Sequence, residues 1–257
     1  MTEQSESPQS RTRQLFGNKS DDYSTSSLLK DQQNLQFVIE MAGITDRDRV
    51  LDVATGTGFM AVAVADTGAE VVATDFTLAM LEKAGEFLAD RGNVSLSLAD
   101  ADCLPFPPGS FDLVTCRVSM HHFANPQIAF REMARVCKPG GRVLIMDVVS
   151  SEDEAKSELH NKMGKLRDPS EVRQWRPSEV EQMIRNAGLN ISKFELWPHL
   201  MAFDEWIHLG GADEETTERL RGMIIDSIDG DKAGISPKFR DGELFFTWTT
   251  AIILAWK

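Results

Sequence analysis

At 257 residues the chain is long enough for one α/β domain and short for two of full size. Its formal net charge of −13 repels phosphate backbones, and no Lys/Arg cluster with interleaved aromatics counters that locally, so nucleic acid is not the expected partner. No apolar run reaches the roughly eighteen residues of a membrane span, the start Met1-Thr2-Glu3-Gln4-Ser5 is too polar for a secretory signal, and Cys103, Cys116 and Cys137 lack paired spacing, so a cytoplasmic protein with reduced thiols is expected.

Residues 1–27 are polar and serine-rich, which predicts a mobile arm ahead of one domain over 28–257. Phe16 and Tyr23, the one tyrosine in the chain, stand out there, and a hydrophobic staple onto the next helix is one reading of them. That helix is read over Leu28 to Ala42 from apolar Leu28, Leu35, Val38, Ile39 and Ala42, with Gly43 as its stop. A strand at Val50–Ala54 then enters Thr55-Gly56-Thr57-Gly58. Neither glycine carries a Cβ, so the turn can tighten and its backbone can approach a ligand closely. A second strand, Val71–Thr74, ends at Asp75, whose carboxylate can accept both hydroxyls of a ribose. That order describes a nucleotide or nucleoside pocket, and the glycine spacing alone leaves NAD and S-adenosylmethionine both open. Asp52 weighs against NAD, because a carboxylate beside the turn would repel a pyrophosphate and hold an ammonium.

Further strands are read at Val94–Leu98, leading to Asp100-Ala101-Asp102, at Phe111–Cys116, leading to Arg117, and at Arg142–Val148 after Lys138-Pro139-Gly140-Gly141. Strands alternating with helices require a parallel sheet with right-handed crossovers. A helix over Ser178 to Asn186 and strands at Asn190–Trp197 and Leu244–Trp256 follow. Two insertions, at about 152–176 and 203–240, exceed ordinary connections and are expected to be helical lids carrying acceptor specificity.

From about Arg49 to Asp147 the chain resembles the class I S-adenosylmethionine-dependent methyltransferases, in particular the ubiquinone and menaquinone C-methyltransferase branch, also described as methyltransferase type 11. The resemblance implies a Rossmann-like, seven-stranded, mostly parallel sheet with helices on both faces and an antiparallel last strand. It places Asp52, Ala54, Thr55, Gly56 and Gly58 around the methionine part of the cofactor, Asp75 with Phe76 at the ribose, and Asp100 with Ala101 at the adenine. Arg117 is expected at the same site, with Tyr23 closing over it. Ala54 replaces the first glycine of the usual motif. The quinone branch's amino-terminal tyrosine and asparagine signature is missing, and Asp147 stands where that branch has glutamate.

The loop Arg117-Val118-Ser119-Met120-His121-His122-Phe123 would border the sulfonium, where an imidazole can take a proton near neutral pH. His122, just before the phenylalanine, is the expected base, with His121 as second candidate and a purely structural histidine as the alternative. Arg167, Arg173 and Trp206 are candidate acceptor contacts on the insertions, with surface ion pairing as the other fate of the arginines. The oxygen set around Asp147 is too small for magnesium, so no metal is expected. The function read from the chain is in-line methyl transfer to a small molecule. Alternatives are an S-adenosylmethionine-binding sensor or a catalyst of another reaction, and, lower, an NAD-dependent oxidoreductase. A homodimer is left open.

Overall fold

The computed structural model describes Tyr23 and residues 25–257, so Phe16 and nearly all of the expected arm over 1–27 lie outside the described residues. Helix α1 (Ser27–Lys30) stops at Asp31, whose carboxylate accepts the Asn34 N–H at 3.0 Å and so caps α2 (Gln32–Ala42). The single helix expected over Leu28 to Ala42 is thereby broken, because an aspartate makes a better N-cap than an interior residue. The break has a use: Leu28 and Leu29 carbonyls, freed from helical bonding, accept from the Arg117 guanidinium at 2.9 and 3.3 Å.

Strands β1 (Arg49–Val53), β2 (Glu70–Asp75), β3 (Val94–Leu98), β4 (Phe111–Arg117) and β5 (Cys137–Val148) are parallel. Strand β8 (Glu243–Trp256) lies antiparallel between β5 and β6 (Asn190–Ala202), giving the order β3-β2-β1-β4-β5-β8-β6. A three-residue strand, β7 (Lys238–Arg240), adds to β8 as an eighth, supplied by the second insertion. It has too few residues to show a pattern in sequence. Among the described residues no helix is long and apolar enough to cross a membrane.

The central strands are apolar at consecutive positions because both faces are covered. Val50, Val71, Leu113 and Leu144 pack beneath α2, α3 (Phe59–Ala65) and α4 (Leu78–Leu88), whereas Leu51, Val114 and Ile145 meet α5 (Pro126–Val136) and α7 (Pro177–Asn186). Each such side chain stabilises the fold by about 1.5–3 kcal/mol on burial. Chain order reverses between β1 and β4, opening a crevice at their carboxyl ends.

Both insertions are packed elements. The first carries α6 (Glu154–Arg167). The second carries α8 (Phe203–Leu209) and α9 (Glu214–Asp226), whose Leu220 and Ile224 are fully buried. They share a third apolar cluster with Met163, Phe203, Trp206, Phe246 and Trp248. Within it His160 is 3 % exposed and its Nδ1 has no partner among the described residues. Burial, helped by the Arg167 charge, lowers its pKa to about 4. The unfolded chain therefore binds a proton that the folded chain refuses between about pH 6.5 and 4, and stability drains as pH falls through that window. Denaturant unfolding of wild type should lose about 2 kcal/mol more than His160→Leu between pH 6.5 and 4.5; equal losses would show that His160 is not the group titrating.

Candidate active site

The glycine turn forms the floor of a cavity at the crevice. Ala54 has φ +53°, Gly56 +56° and Gly58 +91°, so alanine occupies a left-handed position that glycine fills more cheaply. The two glycines serve different ends. A Cβ on Gly56 would meet nothing within 4 Å among the described residues, leaving room for a ligand, whereas one on Gly58 would lie 3.1 Å from the Ala84 Cβ, where α3 and α4 close together. Asp75 ties the turn down, accepting from Gly56 N at 3.0 Å and Thr77 N at 2.8 Å. Burial pushes its carboxyl upward against those bonds.

Asp52 is 1 % exposed and accepts from Thr55 Oγ1 at 2.6 Å and Thr115 Oγ1 at 2.7 Å. Burial raises its pKa to about 6, with the two hydroxyls and Arg117 pulling the other way. Arg117, equally enclosed, is lowered to about 10 by burial against the field of Asp52, and its Nε lacks a partner among the described residues. A carboxylate able to take a cation and a guanidinium with a spare donor thus face one cavity, as an amino-acid zwitterion requires. Tyr23, Ala54, Thr55, Phe76, Asp100 and Ala101 line it too, so the structure brings together ten of the eleven residues expected at the cofactor, Gly58 lying behind as the helix cap.

Beyond β4 the backbone is strained. Val118 has φ +54°, unusual for a β-branched residue, and is held there by its N–H to Met146 O at 2.7 Å. Asp147 Oδ2 accepts the next N–H, from Ser119, at 3.0 Å. The other oxygen of Asp147 meets His121 Nδ1 at 2.6 Å. Burial would lower the His121 pKa, but the charge and hydrogen bond of Asp147 outweigh it and raise the group above its ordinary value. His122, whose ring meets that of His121 at a 45° tilt with centroids 4.2 Å apart, is pushed down by burial and by that neighbour. Its Nδ1 lies 3.2 Å from Ser170 Oγ, and Ser170 Oγ lies 2.6 Å from Asp168 Oδ1. A hydroxyl has one proton, and Asp168, held as a carboxylate, takes it; His122 Nδ1 must then donate, placing its lone pair on Nε2. The carboxylate-backed histidine is therefore His121, since the short helical turn at Met120–His122 aims that ring back at β5.

Arg167, Leu209 and Trp248 close the inner end of the cavity. Arg173 and Trp206, expected at the acceptor, are elsewhere. Arg173 pairs with Glu179 at 2.9 Å and stacks on Trp175, facing away, and Trp206 is core, packed edge-on to Phe246. Arg167 is paired, but in the interior rather than on the surface. Asp168, Ser170, Leu209 and Trp248 are not among the residues expected at the site. The Asp168-Pro169-Ser170 turn is a local signal, but its meeting with His122 is purely tertiary. No group of three or more His, Cys, Asp or Glu clusters to hold a metal among the described residues.

A methyltransferase domain family matches residues 51–145. The methyltransferase YcgJ of Bacillus subtilis is 35 % identical over 204 residues, covering 78 % of this chain and 81 % of that protein. Its crystal structure superposes with a TM-score of 0.82 at 30 % identity, covering 88 % of this chain and 98 % of that one. The ubiquinone/menaquinone C-methyltransferase UbiE of Pseudomonas putida is 41 % identical over 119 residues, and the chain spans 46 % of its length, 44 % of its own. The chain belongs to the class I S-adenosylmethionine-dependent methyltransferases, and S-adenosylmethionine is that family's cofactor.

The opposed histidines can be checked directly. In an NMR titration His121 should ionise above 6.5 while His122 stays neutral well into the acid range, and Asp147→Asn should bring His121 down. Two histidines titrating together near 6.5 would contradict the arrangement.

Proposed function

We propose that the protein transfers the methyl group of S-adenosylmethionine to a small organic molecule without a metal ion. The observation that carries this reading is the continuity of one cavity from Asp75, past Asp52 and Arg117, to the His121–Asp147 pair and on to Arg167 and Trp248. The cofactor, when bound, supplies an electrophilic methyl group. Asp52 takes its ammonium, Arg117 its carboxylate and Asp75 its ribose hydroxyls, while Gly56 leaves the space the ligand needs. The acceptor lies beyond the histidines, enclosed by the insertion residues.

His121 is the better base in this reading, displacing His122. Asp147 holds Nδ1–H, so Nε2 takes the proton of an acceptor hydroxyl or amine, and the same carboxylate stabilises the imidazolium. His122 Nε2, fixed by Ser170 and Asp168, accepts a hydrogen bond and orients the acceptor. Alignment in a water-poor pocket lowers the barrier by roughly 7–11 kcal/mol. The negative surface and the enclosed site support a small-molecule acceptor over nucleic acid.

Calorimetry should show S-adenosylhomocysteine binding that Asp75→Ala weakens by about 2 kcal/mol, roughly thirtyfold. With methyl-labelled cofactor and a cell extract, label should enter the low-molecular-weight fraction and continue to do so after exhaustive chelation. His121→Gln should cut the maximal rate by roughly a hundredfold and abolish the acidic limb of the pH profile. Label confined to protein or RNA, or a need for added metal, would overturn the reading.

A further inference from the structure

Arg167 ends α6 with only 2 % of its surface exposed, between the indoles of Trp206 and Trp248, whose centroids lie 5.2 and 5.6 Å from the guanidinium carbon. The chain is fitted around it. A Cβ on Gly210 would lie 2.5 Å from Arg167 Cγ, one on Gly164 would overlap Glu171 Oε1, and Gly211 N donates to Arg167 O at 2.8 Å. Yet the donors of this buried cation are poorly used. Nη1 reaches Trp206 O at 3.4 Å, and Nη2 stands 3.7 Å from Asp168 and 3.5 Å from Glu171, ion-pair rather than hydrogen-bond distances. Nε has no partner among the described residues, and neither has Trp248 Nε1.

A buried donor without a partner is destabilising, so such an accumulation marks a place where a ligand completes the bonding. Sign and position say which ligand. At this end of the cavity the orphaned lining groups, Arg167 Nε and Trp248 Nε1, are donors; the orphaned acceptors beside them, on Asp168 and Glu171, belong to residues that do not line it. A cationic ligand would find both indole faces already taken by Arg167. Burial pushes the Glu171 carboxyl upward, with Arg167 and His121 pulling the other way.

We propose that the inner end of the cavity is a carboxylate subsite, and that the methyl acceptor is a small organic acid whose carboxylate is received by Arg167 and the Trp248 indole N–H. This rests on the placement of the acceptor beyond the histidines. Leu209 and Val118 supply apolar contact for its body.

The test uses full-length protein saturated with S-adenosylhomocysteine, so that the Arg117 end is occupied, and follows tryptophan fluorescence. Benzoate, 4-hydroxybenzoate, 3-phenylpropanoate and octanoate are each titrated beside their primary amides. At least one acid should bind tenfold or more tightly than its amide. Arg167→Lys, which keeps the charge and loses the fork, and Trp248→Phe, which keeps an aromatic ring and loses the N–H with part of the indole, should each shrink that preference at least threefold while leaving S-adenosylhomocysteine affinity unchanged. No acid preferred over its amide, or a preference intact in both variants, overturns the subsite and leaves the methyltransferase reading standing. Failure of S-adenosylhomocysteine itself to bind refutes the cofactor site, and acid preference in that ligand-free protein is then measured on its own.

Discussion

Everything at this site depends on one buried carboxylate. Asp52 sits in the middle of the sheet, where its neighbours on β1 are fully apolar, and an unpaired charge there is costly. Thr115 Oγ1 from β4 and Thr55 Oγ1 from the turn share the burden, and the same contacts bind the two strands between which chain order reverses. Arg117 answers the charge from the end of β4 and, through the Leu28 and Leu29 carbonyls, draws the amino-terminal helices over the cavity. The floor, one wall and part of the roof therefore follow from placing a carboxylate where an aliphatic residue would have been more stable.

The second half of the cavity is built by a parallel device on β5. Asp147 fixes the strained turn after β4 through the Ser119 N–H and fixes His121 through Nδ1. The Met146 carbonyl and Asp147 together hold the strain at Val118, a cost of about 1–3 kcal/mol in backbone energy, and Asp147 sets the orientation of the imidazole. The neighbouring histidine is tied to a different carboxylate, Asp168, through Ser170. Adjacent rings in touch with each other are moved apart in pKa, His121 raised by Asp147 and His122 lowered by burial and by His121.

The sheet was legible in the sequence because its first strands are short apolar runs with polar residues at their carboxyl ends, and every strand but β7 begins within about five residues of its expected place. The cavity wall was legible for the same reason: Asp52, Gly56 and Asp75 lie at fixed offsets from strands that local pattern reveals. What local pattern could not carry was side-chain direction on the insertions. Arg167 and Arg173 sit six residues apart in one polar cluster, and only the packing of α6 against α9 turns one inward and leaves the other outside. Trp206 read as an acceptor contact because an aromatic on an insertion serves equally as core. The position just before Phe123 points to His122 as a base, whereas the carboxylate that meets His121 is 26 residues away in sequence.

The central claim is that Asp52 and Arg117 hold the amino-acid end of the cofactor. With its pKa near 6 in the free protein, Asp52 is half protonated at that pH, and an ammonium at its side must expel the proton. Calorimetry at pH 6 in buffers of different ionisation enthalpy should therefore record release of about half a proton on binding S-adenosylhomocysteine. Release should vanish with 5′-methylthioadenosine, which lacks the amino acid, and in Asp52→Asn. Equal proton release for both ligands, or unchanged S-adenosylhomocysteine affinity in Asp52→Asn, would contradict the account.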